Sequence, residues 1–366
     1  GDVGYGKTEV ALRAAFKAVN DGKQVAVVVP TTLLAEQHQK TFAERFNGYP
    51  VTVACLSRFK SRKEQKEILR RLESGTLDVV IGTHRLLQKD VSFHSLGLLV
   101  IDEEQRFGVK HKERIKQKRS TVDVLALTAT PIPRTLHLSL TGLRDISVIN
   151  TAPEDRQPIV SYICENDDAV TADAVRKELE RGGQVFFVHN NIKTISKKAE
   201  KLRELVPEAR IDVAHGRLSE SVLEEVMLKF IRNSIDVLVC TTIVESGLDI
   251  PSANTMIIDN AERFGLSQIY QLRGRIGRGE EQAYAYLFIS DESRITRDAR
   301  KRLAALMEHR DLGSGFQIAM KDLQIRGSGS ALGAAQSGHI AAVGYDMFLK
   351  LLDNAVKDMK GDEVEE

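Results

Sequence analysis

Residues 1–8 read GDVGYGKT and fit G-x-x-x-x-G-K-[ST] at every fixed position. Gly1, Gly4 and Gly6 permit a tight backbone path whose N–H groups surround phosphate oxygens. Lys7 reaches toward β- and γ-phosphates, and Thr8 offers a hydroxyl to Mg²⁺. A second constellation is the apolar run 98–101 ending in Asp102, Glu103, Glu104 and Gln105. There Asp102 suits the Mg²⁺ that Thr8 also touches, and Glu103 suits polarisation of an attacking water, the division of labour that phosphoryl transfer requires. A third is QLRGRIGR at 271–278, with Arg273, Arg275 and Arg278 among two glycines. Arginine is permanently charged and forks onto phosphate, which suits a finger reaching a γ-phosphate from another domain. The plainer readings are a glycine-rich turn, an acidic loop after a strand, and a basic turn on a solvated face or against nucleic acid.

The elements that must position these residues alternate along the chain. Helical spacing covers 8–20, 33–46 and 60–74, and strand-like runs cover 24–29, 51–56, 78–81, 98–102 and 124–127. Such alternation predicts a parallel sheet with helices on both faces and ligands beyond the carboxyl ends of its strands. A linker containing two of the eight prolines spans 151–158. Alternation resumes with helices over 168–181, 194–205 and 220–231 and strands over 184–188, 211–214 and 236–240. No second phosphate loop follows. The expected organisation is an ATP-binding lobe at 1–150, a second lobe at 151–296 and a helical segment at 297–366. The strand that should precede the phosphate loop is missing, so the chain is expected to be cut from a longer one.

The 366 residues are 42% hydrophobic and 28% charged, which excludes wholesale disorder. Apolar runs are strand-sized, short of the ~20 residues of a membrane helix, and no charged-then-apolar leader opens the chain. Three scattered cysteines suit a reducing compartment, and the expected location is the cytoplasm. None of the nine histidines has metal-ligand spacing. A net charge of +1 gives no global sign of nucleic acid, yet 58–71 holds seven basic residues against two acids, and 110–119 six against one. With 5% aromatics and no tryptophan, single-strand stacking platforms are sparse, which favours duplex backbone tracking.

Taken together, the segments resemble a superfamily 2 helicase motor over nearly the whole chain. Residues 1–8 match motif I, 30–35 (PTTLLA) motif Ia, 82–84 (GTH) motif Ib/Ic and 102–105 (DEEQ) motif II. Residues 128–131 (TATP) match motif III, 184–190 motif IV, 241–251 (TTIVESGLDIP) motif V and 271–278 motif VI. Within that superfamily, 102–113, 128–135 and 264–279 resemble the branch shared by RecG and the bacterial transcription-repair coupling factors. So does 311–338, which is similar to the translocation motif of that branch. Glu104, 110–113 and the tail 338–356 look more like the coupling factors. Position 105 is Gln, where the family carries His or Gln.

The resemblance implies two RecA-like parallel-sheet lobes in tandem, followed by a C-terminal helical translocation motif. It implies an ATP- and Mg²⁺-dependent motor tracking double-stranded DNA, which in the full-length family protein displaces stalled RNA polymerase and promotes excision repair. Polymerase and repair-protein contacts would lie in domains outside this chain, and no membrane is involved. Lys7, Thr8, Asp102 and Glu103 would form the hydrolytic set, with Gln271, Arg275 and Arg278 sensing the γ-phosphate and Asp249 at the ribose. Thr31, Thr83, Thr128, Thr130 and Thr241 would link nucleotide state to DNA grip, and Arg326 and Gln336 would relay domain closure to movement. Two rivals stay open: a RecG-type branch-migration helicase, and a truncated nucleic-acid-binding fragment without ATPase activity.

Overall fold

A computed structural model describes residues 1–104, 107, 122–129, 145, 147–153, 156–242, 247–279, 281–309 and 313–326. The backbone groups into two units, one of residues 6–128 with 244–249, the other of 1–5, 129–243 and 250–366.

The first unit is a five-stranded sheet in the order β2-β3-β1-β4-β5 with every pair parallel. Its elements are α1 (Lys7–Asn20), β1 (Gln24–Val28), α2 (Thr32–Arg45), β2 (Val53–Leu56), α3 (Arg62–Glu73), β3 (Val79–Gly82), β4 (Leu96–Asp102) and β5 (Asp123–Leu127). A short 3-10 turn, His84–Leu87, follows β3. β1 is buried at all five positions, as expected for a strand covered on both faces of a parallel sheet. The α1 stripe Ala11, Leu12 and Ala15 is buried, and Phe42 of α2 packs edge-on against Phe46 at 5.7 Å. The helix expected over 60–74 begins two residues later, because the Ser61 side chain accepts from the Glu64 N–H while Glu64 accepts from the Ser61 N–H. That capping box fixes the start of α3.

The second unit holds a six-stranded parallel sheet in the order β6-β11-β10-β7-β9-β8. The elements are β6 (Val160–Glu165), α4 (Asp168–Glu180), β7 (Gln184–Val188), α5 (Ile195–Leu205), β8 (Ile211–Ala214), α6 (Glu220–Ile231), β9 (Val237–Cys240), β10 (Ala253–Ile258), α7 (Leu266–Arg273), β11 (Tyr284–Ile289), α8 (Arg297–Glu308) and α9 (Gly315–Arg326). Strands β7, β8 and α6 keep the limits their spacing predicts, while β6, β10 and β11 are additions from the structure. Phe186 packs on Phe230 at 4.9 Å, joining β7 to α6. Beyond the sheet, the buried Asp322 of α9 accepts a 2.8 Å hydrogen bond from Ser267 of α7.

One device occurs in both units. A buried glutamine opens each central strand, Gln24 in β1 and Gln184 in β7. The Gln24 amide donates to the carbonyls of Leu72 and Leu77, at 2.9 and 2.8 Å, where α3 ends and the chain turns toward β3. In the same way, the Gln184 amide donates to Phe230 at 2.8 Å and to Ile235, where α6 ends before β9. Helix ends leave carbonyls without intrahelical partners, and in each unit one glutamine side chain ties the helix end to the segment that follows it.

Candidate nucleotide site

In the first unit the motif residues gather where strands end. Gly6 caps α1 with φ +74°, and a Cβ placed there would meet nothing within 4 Å. The position therefore needs glycine for its backbone conformation and not for space. Lys7 and Thr8 occupy the first turn of α1, whose N-terminus carries the partial positive charge that attracts phosphate.

Asp102 is the last residue of β4, and the Nε2 of His38 on α2 lies 3.1 Å from its Oδ2. Burial pushes the Asp102 carboxyl up. The hydrogen bond and charge of His38, the Lys7 ammonium and the Glu103 N–H outweigh that push and hold it below the usual carboxylate range. Lys7 and Asp102 are thus electrostatic neighbours within the first unit. Glu103 follows at φ +51°, a left-handed conformation uncommon outside glycine, and its N–H donates to the Leu127 carbonyl of β5 at 3.2 Å. It is 5% exposed, so the acid is held in a sparsely populated conformation inside the unit, a combination concentrated at functional sites.

The other first-unit positions have structural duties of their own. The Thr31 hydroxyl caps α2 by accepting from the Leu34 N–H at 3.3 Å. Thr83 precedes the 3-10 turn, whose Leu86 N–H donates to the Thr83 carbonyl. Thr128 follows β5 and is half-buried. Asp249 is held through its backbone. The Gln37 amide nitrogen donates to the Asp249 carbonyl at 2.9 Å, and the Asp249 N–H donates to the Gln37 amide oxygen at 3.0 Å.

In the second unit, Gln271 lies in the last turn of α7, Arg275 just beyond it is buried, and Arg278 is half-buried. Thr241 is buried after β9, with its N–H donating to Ala214. Gly1 and Gly4 group with this unit: Arg156 donates to the Val3 carbonyl, and Tyr270 donates to Asp2. Arg326 closes α9. Thr130, Gln336 and the basic run 110–119 lie outside the described residues.

Two features escaped the sequence reading. One is His38, which no spacing marks as a partner of Asp102. The other is a chain of polar groups at the carboxyl ends of β7 and β10. The buried Asp259 lies 2.7 Å from His189 Nδ1, and His189 Nε2 lies 2.7 Å from the Thr194 hydroxyl. Asn166 donates to the other Asp259 oxygen at 3.1 Å, and Lys198 lies 3.6 Å away. Burial pushes the Asp259 carboxyl up, but His189 and Lys198 more than offset it and hold it below its usual range. Among the described residues no group of three or more His, Cys, Asp or Glu could hold a metal ion, and no helix is long and apolar enough to cross a membrane.

Comparison with known proteins accounts for this arrangement. The DEAD/DEAH box helicase family matches residues 1–138, and the helicase conserved C-terminal domain matches 170–280. The chain is 56% identical over 362 residues to the transcription-repair-coupling factor of Bacillus subtilis, and 55% identical over 361 residues to that of Myxococcus xanthus. Over nearly its whole length the chain is thus similar to one segment of the transcription-repair-coupling factors. Coupling factors are about three times longer: the alignments take in 99% of this chain but 31% and 30% of those two relatives. A solved structure of RecG bound to a three-way DNA junction matches at TM-score 0.77 and 39% identity, over 96% of this chain and 46% of that one. Saccharomyces cerevisiae Dbp5 bound to RNA and ADP BeF3 matches at TM-score 0.62 and 18% identity, over 84% of this chain and 81% of that one, and shares the fold. The two parallel-sheet units are the tandem RecA-like lobes of superfamily 2 helicases, which the coupling factors share.

Proposed function

We propose that this chain is the ATP-driven motor of a cytoplasmic transcription-repair coupling factor, translocating on double-stranded DNA to displace stalled RNA polymerase and promote excision repair. The observation that carries the reading is the half-buried Asp102 carboxylate at the end of β4, anchored by His38 and within the field of Lys7. A carboxylate kept ionised and oriented beside a phosphate-loop lysine is suited to a hard cation that is also held by substrate phosphates.

The residues fit Mg²⁺: Asp102 supplies a hard anionic oxygen and Thr8 a hydroxyl oxygen, the donor types that ion takes. Bound there, Mg²⁺ would neutralise charge developing on the phosphates. Lys7 and the α1 N-terminus bind and orient the β- and γ-phosphates. Glu103, fixed by its backbone to Leu127, orients the attacking water and takes its proton. We assign Gln271, Arg275 and Arg278 to sensing the γ-phosphate, and Asp249 to the ribose. Thr31, Thr83, Thr128, Thr130 and Thr241, with Arg326 and Gln336, would couple nucleotide state to DNA. Polymerase and repair proteins would be contacted through regions of the coupling factors outside this chain.

The test is DNA-stimulated ATPase with Glu103→Gln. Turnover should fall about 10²–10⁴-fold while nucleotide binding is retained, the span of a lost general base. Unchanged turnover in that variant would overturn the assignment. A second reading, branch migration, is favoured by the RecG structure on a three-way junction, which covers nearly the whole chain. Stimulation by three-way junctions well beyond that by linear duplex of equal length would select it.

A further inference from the structure

Away from the nucleotide residues, the second unit carries a groove of about 390 Å³. It is lined by Tyr162 of β6, Tyr284 and Tyr286 of β11, Thr255 of β10, and Lys177, Glu178 and Arg181 from α4 and its C-cap. Three of the chain's seven tyrosines meet here. The cause is register: Tyr162 and Tyr286 are opposite one another on neighbouring parallel strands, and Tyr284 stands two residues from Tyr286 on the same face. The Tyr162 and Tyr286 rings stack at 5.4 Å, and Tyr162 is 45% exposed on the edge strand.

Glu178 forms the back of the groove and is 1% exposed. Its Oε2 accepts from Arg181 and from the Thr255 hydroxyl, whereas Oε1 has no hydrogen-bond partner among the described residues. Room for that carboxylate comes from Gly183, since a Cβ there would lie 1.7 Å from Oε1. Burial raises the Glu178 carboxyl above its usual range; Arg181 and Thr255 counter this only in part, and the charge of Glu281 adds to the rise. Among the described residues, the carboxylates of Asp173, Glu178 and Glu281 stand against the cations Lys177 and Arg181, an excess of one negative charge. Lys177 pairs with Asp173, 2.8 Å away. The groove already holds one guanidinium in a characteristic way: Arg181 lies 5.3 Å over the Tyr284 ring while donating to Glu178.

We propose that this groove is a docking site for an arginine side chain presented by a partner protein. A guanidinium is planar and cationic, so it lies on the Tyr162–Tyr286 pair as Arg181 lies on Tyr284, and its fork supplies donors toward the Glu178 carboxylate. Its charge balances the excess carboxylate. A phosphate or nucleotide meets the opposite sign of field, and a lysine lacks the planar face and the fork.

The test titrates the chain, labelled in its tyrosine rings, with an acetylated Gly-Arg-Gly amide peptide followed by NMR. Saturable shifts are expected at Tyr162 and Tyr286, with affinity at least threefold above that of the Gly-Lys-Gly counterpart and no saturation by AMP. Glu178→Gln should weaken the arginine peptide at least tenfold. Tyr162→Ala, an edge-strand change that leaves the core intact, should weaken it similarly and serves where Glu178→Gln fails to fold. Absence of saturable shifts, equal or stronger binding of AMP or the lysine peptide, or undiminished arginine binding in Tyr162→Ala would each overturn the proposal. The nucleotide assignments are unaffected by any of these outcomes, because no residue is shared.

Discussion

His38 Nε2 lies 3.1 Å from Asp102 Oδ2, with His38 buried and the Asp102 side chain 14% exposed. This pair joins helix α2, which begins at motif Ia, to the acid that ends β4. An acid in that position must be kept ionised against its own burial and kept pointing one way. His38 does both, as groups behind a metal ligand commonly do.

Replacing His38 with alanine should therefore act through Asp102. Removal of the partner leaves a half-buried carboxylate that desolvation pushes upward, so its charge and orientation at the proposed Mg²⁺ position weaken. The expected outcome is a loss on the order of 10–100-fold in Mg²⁺ affinity or turnover, with His38→Gln recovering part of it through its amide donor. An ATPase titration against Mg²⁺ checks this. An unshifted Mg²⁺ dependence in His38→Ala would show that the pair only packs.

Asp102 and Asp259 both have folded-state carboxyls held below the ordinary range. A depressed carboxylate contributes stability that is fully present above its unfolded value of about 3.9 and is lost as pH falls through the folded one. Thermal stability should therefore drop on the acid side, below roughly pH 4–5. Asp259→Asn removes one of these groups and leaves His189 and Lys198 without their carboxylate. It should cost roughly 3 kcal/mol at pH 7, the scale of a broken buried pair, and much less near pH 3. Melting curves of both proteins from pH 3 to 7 decide the matter, and parallel curves would refute it.

Gln184→Leu tests the device shared by the two units. The leucine fills a similar volume but leaves the Ile235 carbonyl without its amide donor, while the Phe230 carbonyl keeps the Asn233 N–H at 3.0 Å. With one carbonyl orphaned, a loss of about 1–3 kcal/mol is expected. Gln24→Leu should cost a similar amount through Leu77, since the Leu72 carbonyl keeps the Gly75 and His94 N–H groups. Denaturant midpoints at unchanged slope measure both, and a loss under 0.5 kcal/mol would mean that water replaces the amide.

The central strands were legible because both faces of a parallel sheet are covered, which turns a strand such as Val25–Val29 into an uninterrupted apolar run. β6, β10 and β11 lack that signature. β6 lies at the edge and alternates in exposure, while β10 opens with Ala253, Asn254 and Thr255. Lys7 and Asp102 could be proposed from the sequence because phosphate chemistry calls for fixed residue types at fixed spacing. His38 was not, because its partner stands 64 residues away and helical periodicity reads it as packing. Glu178 was hidden for the opposite reason: an acid near the end of a charged helix reads as solvated until Gly183 and Thr255 are brought against it.

Gln37 and Asp249 make the last case. The Gln37 amide exchanges two hydrogen bonds with the Asp249 backbone, donating with its nitrogen and accepting with its oxygen, as a second peptide group would. Glutamate keeps the length and the acceptor but turns the donor into another acceptor, so a carboxylate oxygen then faces the Asp249 carbonyl. Gln37→Glu should therefore be worse than the loss of one hydrogen bond and comparable to Gln37→Ala, which loses two. About 1–3 kcal/mol of local stability is expected from either change. The segment held there carries the Asp249 assigned to the ribose, so the KM for ATP should rise in both variants while kcat changes less. A KM unchanged in Gln37→Glu would detach this contact from nucleotide binding and leave it a purely structural clasp.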